Sequence, residues 1–216
     1  MFTGIIEAVG IVKSSKQNQG EWRLDITVGD LDMSDVNPGD SIAVSGCCLT
    51  VVAKSDNDFS ADISNETMRC TALRSLVSGA RVNLEKAMLA TDRFGGHIVL
   101  GHVDGVGELV NIESEGKSLK MVFKAPLILS KYIIAKGSIC IDGTSFTVNE
   151  VDGEIFAINV IPHTQIETII GEYEIDQSVN LEVDIIARYL ERLVEDKSAQ
   201  DSNEIDLEFL KTNGYD

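Results

Sequence analysis

Residues 45–52 read Ser45-Gly46-Cys47-Cys48-Leu49-Thr50-Val51-Val52, and residues 142–149 read Asp142-Gly143-Thr144-Ser145-Phe146-Thr147-Val148-Asn149. Each holds a glycine, two small polar or thiol residues, a large apolar residue and then Thr-Val. The stretches lie 97 residues apart, and that spacing holds without a gap well beyond them. Gly4 and Gly10 fall on Gly101 and Gly107, Ser41-Ile42 on Ser138-Ile139, and Phe59 on Phe156. Thr67 and Thr71 fall on Thr164 and Thr168, and Val82-Asn83-Leu84-Glu85 on Val179-Asn180-Leu181-Glu182. Identities spread so widely at one spacing mark one module made twice. Two copies are too few for a solenoid, so each reads as a self-contained domain.

A chain of 216 residues holds two such domains, and 44% hydrophobic content gives each a core of ordinary size. The net charge of −17 repels phosphate backbones and anionic surfaces, which argues against nucleic acid and membrane partners. No apolar run reaches the length of a membrane span. Met1-Phe2-Thr3-Gly4 lacks a basic segment followed by an apolar one, so no export signal is expected. Of the four cysteines, Cys47 and Cys48 are neighbours that a strand points to opposite faces, which disfavours their pairing. No disulfide framework is expected, and a reducing cytoplasm is the natural compartment.

Working outward from the motif, most of the chain reads as short strands. Trp22, Leu24, Ile26 and Val28 alternate as in a half-buried strand, and Asn37-Pro38-Gly39-Asp40 is a turn. Strands are expected over 4–13, 22–28, 41–45, 47–53, 58–63 and 80–85, and again over 101–112, 118–124, 138–142, 144–151, 154–161 and 178–183. Helical segments are expected over 66–77 and, behind Pro126, over 126–135. Many short antiparallel strands in each half suggest a small closed barrel or a sandwich. Asp184 then opens a helix as its N-cap, with Ile186, Leu190, Leu193 and Val194 on one apolar face. That face packs either on its own domain or on copies of itself. The acidic tail carries Ile205, Leu207, Phe209 and Leu210, enough to cover a small neighbouring patch and too few for a core.

Alternation decides which side chains share a face. Cys48 and Thr50 point one way, Leu49 and Val51 the other; Ser145 and Thr147 lie opposite Phe146 and Val148. Asp62 and Ser64 lie opposite Phe59, Ala61 and Ile63, and Asn159 takes the place of Asp62 in the second half. Each half therefore offers small hydrogen-bonding groups able to read the edge of a flat, polar, neutral ligand. A solvated sheet face is the plainer reading of one copy alone; retention in two diverged copies favours a pocket. Gly4, Gly10, Gly101 and Gly107 interrupt strand patterns, where a bulge is the safest reading. Gly95-Gly96-His97-Ile98-Val99-Leu100-Gly101-His102 joins the halves, and its two histidines are candidate proton carriers. No Cys/His spacing fits zinc, so no metal site is expected. The copies also differ: Cys48 corresponds to Ser145 and Gly39 to Lys136, and a thiol can act as a nucleophile or weak acid where a hydroxyl is far harder to ionise.

At Met1-Phe2-Thr3-Gly4-Ile5-Ile6-Glu7, at Gly46 to Val51, at Gly95 through Gly105 and at Asp142 to Val148 the sequence resembles the riboflavin synthase family, over residues 1 to about 195 and including the duplication. The resemblance implies two tandem six-stranded antiparallel Greek-key-like barrels, 1–97 and 98–184, and a helix and tail, 185–216, through which three chains associate. It implies dismutation of two molecules of 6,7-dimethyl-8-ribityllumazine by transfer of a four-carbon unit, with no metal or cofactor. It places the first barrel of one chain against the second barrel of its neighbour. Carried over by motif, a first pocket would use Gly4, Ile5, Ile6, Cys48, Leu49, Thr50 and Asp62, Ile63, Ser64, Asn65, Glu66 and Thr67. A second would use Gly101, His102, Val103, Lys136, Ser145, Phe146, Thr147 and Asn159, Val160, Ile161, Pro162, His163 and Thr164. Cys48, or a water beside it, is the candidate nucleophile and His102 a proton carrier; Ser41, Ser145, Thr147 and Asp184 are candidates to orient the intermediates. Ser45, Phe146 and Ile169-Ile170 depart from the usual family residues. A non-catalytic lumazine- or flavin-carrying antenna protein is the alternative, because it needs only one good pocket.

Overall fold

The computed structural model describes residues 1–18, 20–201, 211 and 214, with the side chains of residue 18 and of 195–201 left aside. The apolar tail residues Ile205, Leu207, Phe209 and Leu210 lie outside the described residues.

Residues 1–184 form one compact unit. Within it β1 (Ala8–Asn18), β2 (Glu21–Thr27), β3 (Ser41–Val44), β4 (Cys47–Lys54), β5 (Asp58–Ile63) and β6 (Arg81–Lys86) close into an antiparallel barrel in the order β1-β2-β5-β4-β3-β6. The second copy supplies β7 (Gly105–Glu115), β8 (Ser118–Lys124), β9 (Ser138–Ile141), β10 (Thr144–Asp152), β11 (Ile155–Val160) and β12 (Ser178–Val183), closed in the same cyclic order. In each barrel the run β2-β5-β4-β3, and its counterpart β8-β11-β10-β9, is a Greek key.

The alternation seen in the sequence fills these barrels. Leu24, Ile26, Leu49, Val51, Phe59, Ala61 and Ile63 point into the first core, while Thr50 and Asp62 point out. Phe123, Phe146, Val148, Phe156, Ile158 and Val160 do the same in the second. Glycine does not make the bulges. These fall between Val12 and Ser14 and between Val51 and Ala53, and at the equivalent positions Leu109/Asn111 and Val148/Glu150. Gly10 and Gly107 instead let the barrel close: a Cβ on Gly10 would stand 2.6 Å from Leu84 Cδ1, and one on Gly107 2.6 Å from Leu181 Cδ1. Strand structure also starts later than the sequence suggests, at Ala8 and Gly105, which leaves residues 2–6 and 99–103 as free-running segments.

The two barrels are related by a local two-fold axis. Phe2 and Val99, equivalent residues, bridge each other, with Phe2 N–H donating to Val99 O at 2.7 Å and Val99 N–H to Phe2 O at 3.2 Å. Ser45-Gly46 and Asp142-Gly143 make the β3–β4 and β9–β10 turns, with positive φ at all four residues, the form a two-residue hairpin requires. Two equivalent asparagines latch the barrels together. Asn83 Nδ2 donates to Asp142 O at 2.8 Å, and its Oδ1 accepts from Ile169 N–H at 2.9 Å. Asn180 Nδ2 donates to Ser45 O at 2.8 Å, and its Oδ1 accepts from Ala72 N–H at 2.7 Å. This latch explains why no single helix spans 66–77. The helix α1 (Asn65–Cys70) stops, Thr71 is extended, and a 3-10 turn follows over Ala72–Ser75 with its first N–H captured by the other barrel. In place of a helix over 126–135 there is a single turn, α2 (Leu127–Ser130), capped by Pro126; α3 (Pro162–Glu167) matches α1.

At the same axis Asp142 is buried and departs from its counterpart, Ser45. Burial pushes its carboxyl up to about 6, against the lowering effect of donors from Tyr173 OH and Asn180 N–H. A folded-state value above the unfolded one means that the native state holds the proton between about pH 4 and 6. Its contribution to stability is therefore full below that window and lost as the pH rises through 6. The whole shift is worth about 3 kcal/mol at 1.36 kcal/mol per unit. Between pH 5 and pH 7.5 the urea midpoint of the wild type is expected to fall relative to that of the Asp142→Asn protein, because only the wild type carries the titrating group. Parallel curves would show that the Asp142 proton is not linked to folding.

The second unit begins at Ile185 and contains α4 (Ile185–Asp201), one residue after the expected cap at Asp184. Leu190 and Leu193 of its apolar face are 57% and 61% exposed on a single chain. Among the described residues no helix is long and apolar enough to cross a membrane.

Candidate active site

A cavity of about 300 Å³ opens on the outer face of the second barrel. Its floor is β10, where Ser145 and Thr147 point outward as alternation requires, with Phe146 edging in beside them. Asn159, Ile161, His163 and Thr164 form one side. The opposite wall is Gly4, Ile5 and Ile6, from the start of the chain.

That wall corrects the grouping expected from the sequence. The resemblance groups Gly4, Ile5 and Ile6 with Cys48, and Gly101, His102 and Val103 with Ser145. The segments are exchanged. Ser145 N–H donates to Gly4 O at 2.8 Å, and Cys48 N–H donates to Gly101 O at 2.9 Å. A Cβ on Gly4 would lie 2.6 Å from Ser145 Cβ, and one on Gly101 2.5 Å from Cys48 Cβ. Both glycines sit at φ +77, so the left-handed conformation and the close approach each require glycine. The physical cause is the local two-fold: residues 2–6 and 99–103 cross at the axis through the Phe2–Val99 bridge, and each continues along the other barrel.

The remaining expected residues divide into those near a pocket and those with other work. On the first barrel Cys48 is half-buried beside Gly101, and Thr50 pairs across the ladder with Ser41, as Thr147 does with Ser138. Asp62 is exposed and held by Arg23 through Nε at 2.7 Å and the second nitrogen at 2.9 Å; that ion pair holds its carboxyl below the usual range. Ser64 caps α1 by accepting from Thr67 N–H, Glu66 pairs with Arg69, and Asn65 donates to Gly20 O. Leu49, Ile63 and Val160 point into the cores and do not line the cavity. Pro162 starts α3. Lys136 sits in a left-handed turn with its N–H on Val148 O and, like His102 and Val103, does not line the cavity. Asp104 backs the 99–103 segment, its carboxylate accepting from Val183 N–H at 2.8 Å, and Asp184 is half-buried nearby in sequence.

His97, a candidate proton carrier in the sequence but part of neither expected pocket, touches the site. It is 7% exposed, with Nδ1 2.7 Å from Ser145 Oγ and its backbone N–H on Thr3 O. Nε2 is buried with no hydrogen-bond partner among the described residues. Burial depresses the ring below the ordinary imidazole value, and the Asp184 charge works against that. A neutral imidazole in contact with a hydroxyl that lines a cavity is an arrangement for moving one proton. Thr144, Asn149, Glu167 and Thr168 also line this cavity.

Comparison with known proteins is consistent across three kinds of relative. The family model described as "Lumazine binding domain" matches twice, over residues 3–87 and 100–184. The chain is 44% identical to the riboflavin synthase of Photobacterium phosphoreum over 216 residues, covering all of this chain and 99% of that one. It is 41% identical to the riboflavin synthase of Bacillus subtilis, covering the whole of both chains. Among solved structures, LumP complexed with 6,7-dimethyl-8-(1'-D-ribityl) lumazine is 32% identical, with a TM-score of 0.76, over 85% of this chain and 99% of that one.

Proposed function

The chain belongs to the riboflavin synthase family, enzymes built on a duplicated lumazine-binding domain, and from that premise we propose that it joins two molecules of 6,7-dimethyl-8-ribityllumazine. One molecule gives a four-carbon unit to the other, producing riboflavin and 5-amino-6-ribitylamino-pyrimidinedione. Donor and acceptor are the same compound, and a site made twice on one two-fold scaffold suits them. The observation that carries the reading is the pair of equivalent outward-facing motifs, Cys48/Thr50 and Ser145/Thr147, each walled by a glycine segment from the other copy. The barrels 1–97 and 98–184 are then the two substrate domains, and 185–216 the segment of association.

The chemistry begins with loss of a proton from the lumazine 7-methyl group. Ser145 Oγ takes it while the serine hydroxyl proton passes to His97 Nδ1, leaving an imidazolium and a carbanion delocalised over the pteridine ring. The first barrel has Cys48 at the matching position, a thiol suited to add at ring carbon 7 of the partner molecule. His102, exposed on the segment beside Cys48, is placed to return protons on that side. Ser41 and Thr50 on one barrel, and Thr147 on the other, orient the ring edges, and Asp184 acts on His97 through its charge. Four free thiols suit a cytoplasmic protein.

The donor and acceptor pockets must meet, and a second copy of the chain brings them together. We place the first barrel of one chain against the second barrel of its neighbour in a homotrimer held by α4, whose Leu190 and Leu193 are exposed on a single chain. Sedimentation at micromolar concentration is expected to give a trimer, and deletion of 185–216 to shift it towards monomer with both barrels folded; a monomeric full-length chain would remove the association.

The deciding assay mixes the purified protein with 6,7-dimethyl-8-ribityllumazine in EDTA and follows riboflavin by absorbance and fluorescence. Two lumazines consumed per riboflavin formed is the expected result. The likeness to LumP supports a second reading, a lumazine carrier, which predicts saturable binding with no riboflavin.

A further inference from the structure

Two buried carboxylates stand outside the chemistry just described: Glu85 on β6 and its equivalent Glu182 on β12, each 4% exposed. Neither has a cationic partner among the described residues. Glu85 Oε1 accepts from Thr3 N–H at 2.6 Å and from the Thr3 hydroxyl at 2.7 Å, and Oε2 accepts from Gly4 N–H at 3.0 Å. Glu182 Oε1 accepts from Leu100 N–H at 2.6 Å, and Oε2 from Gly101 N–H at 2.9 Å and His102 N–H at 3.0 Å. Each glutamate thus fastens the segment that precedes its own barrel. The carbonyl of the fastened glycine then faces the opposite barrel: Gly4 O takes the Ser145 N–H, and Gly101 O takes the Cys48 N–H.

We infer that the two glutamates are crossed positioning residues: Glu85 of the first barrel sets the wall of the Ser145 pocket on the second, and Glu182 of the second barrel sets the wall beside Cys48 on the first. A carboxylate suits this task because both oxygens accept and neither donates. An amide has a single acceptor and would turn N–H groups against backbone N–H groups, leaving a buried donor unmet. The disturbance stays local, because the β6 and β12 ladders run through backbone groups that the substitution does not touch. The consequence for catalysis rests on the reading of the two motifs as substrate pockets; the geometry does not.

Thiol alkylation reads each wall without ligand. Full-length protein is treated with iodoacetamide and the labelled peptides are quantified, with Cys70 on α1 as internal reference. Glu182→Gln is expected to speed alkylation of Cys48 several-fold, and Glu85→Gln to leave it unchanged. In a Ser145→Cys background the pattern reverses: Glu85→Gln speeds labelling at position 145, and Glu182→Gln does not. Where a Gln variant fails to fold, the Asp variant, which keeps both acceptors one methylene further back, is expected to give the same crossed pattern. Equal effects on both positions, an effect on the uncrossed position, or none at either would overturn the inference. Because no lumazine is present, a protein that makes no riboflavin can still show the crossed pattern, so the two readings fail separately.

Discussion

His97→Gln is expected to lower turnover by roughly 10²–10⁴-fold, the usual worth of a positioned general base, while lumazine binding stays within a few-fold of wild type. Ser145→Ala should cost about as much. If the two act as one relay, the double variant is expected to be no slower than the worse single one, because a relay broken once gains nothing from a second break. The pH profile supplies an independent readout. Burial holds the His97 ring below its ordinary value, so it stays neutral, and able to accept the Ser145 proton, into mildly acidic solution. The acid limb of kcat should therefore lie below the ordinary imidazole value, and should disappear in the His97→Gln protein. Stopped-flow turnover across pH 5 to 8 checks both points. Multiplicative losses in the double variant would separate the two residues, and full turnover in either single variant would remove the relay.

The sequence contains the barrels and conceals how they are joined. Alternation in 47–53 and 58–63 placed Cys48, Thr50 and Asp62 outward and Leu49, Phe59 and Ile63 inward, because a barrel interior admits only one face of each strand. The exchange of residues 2–6 and 99–103 was not legible, for a definite reason. An internal repeat equates residue 4 with 101 and residue 48 with 145. A contact between 4 and 48 and a contact between 4 and 145 leave the same trace in it. Only the Phe2–Val99 crossing decides between them. His97 was legible as a candidate proton carrier, but its partner was not: it lies between the copies without a counterpart, and Ser145 is 48 positions away on another barrel. The helix expected over 66–77 failed at Thr71 because Asn180, far away in sequence, takes the Ala72 N–H. Local propensity decided the interior of each barrel, and tertiary capture decided what happens at the axis.

The axis also carries the largest expected effect on stability. Gly46→Ala places a Cβ 2.7 Å from Gly143 N at a residue with φ +79, so conformational strain and a backbone clash act together. Left-handed strain alone costs about 1–2 kcal/mol, and Gly116→Ala, at φ +66 with nothing within 4 Å, measures that part by itself. Overpacking adds typically 1–3 kcal/mol. The clash cannot be relieved by a rotamer change, because Gly46 meets Gly143 backbone and the two turns face each other across the two-fold. Relief requires the barrels to move apart, which would loosen the bonds from Asn83 to Asp142 O and from Asn180 to Ser45 O. Gly46→Ala is therefore expected to lose roughly 2–5 kcal/mol in urea unfolding, the sum of the two contributions. Gly116→Ala should lose only the first. Equal losses in the two variants would show that the barrels separate at no cost, and the latch would then have no part in holding the paired pockets in register.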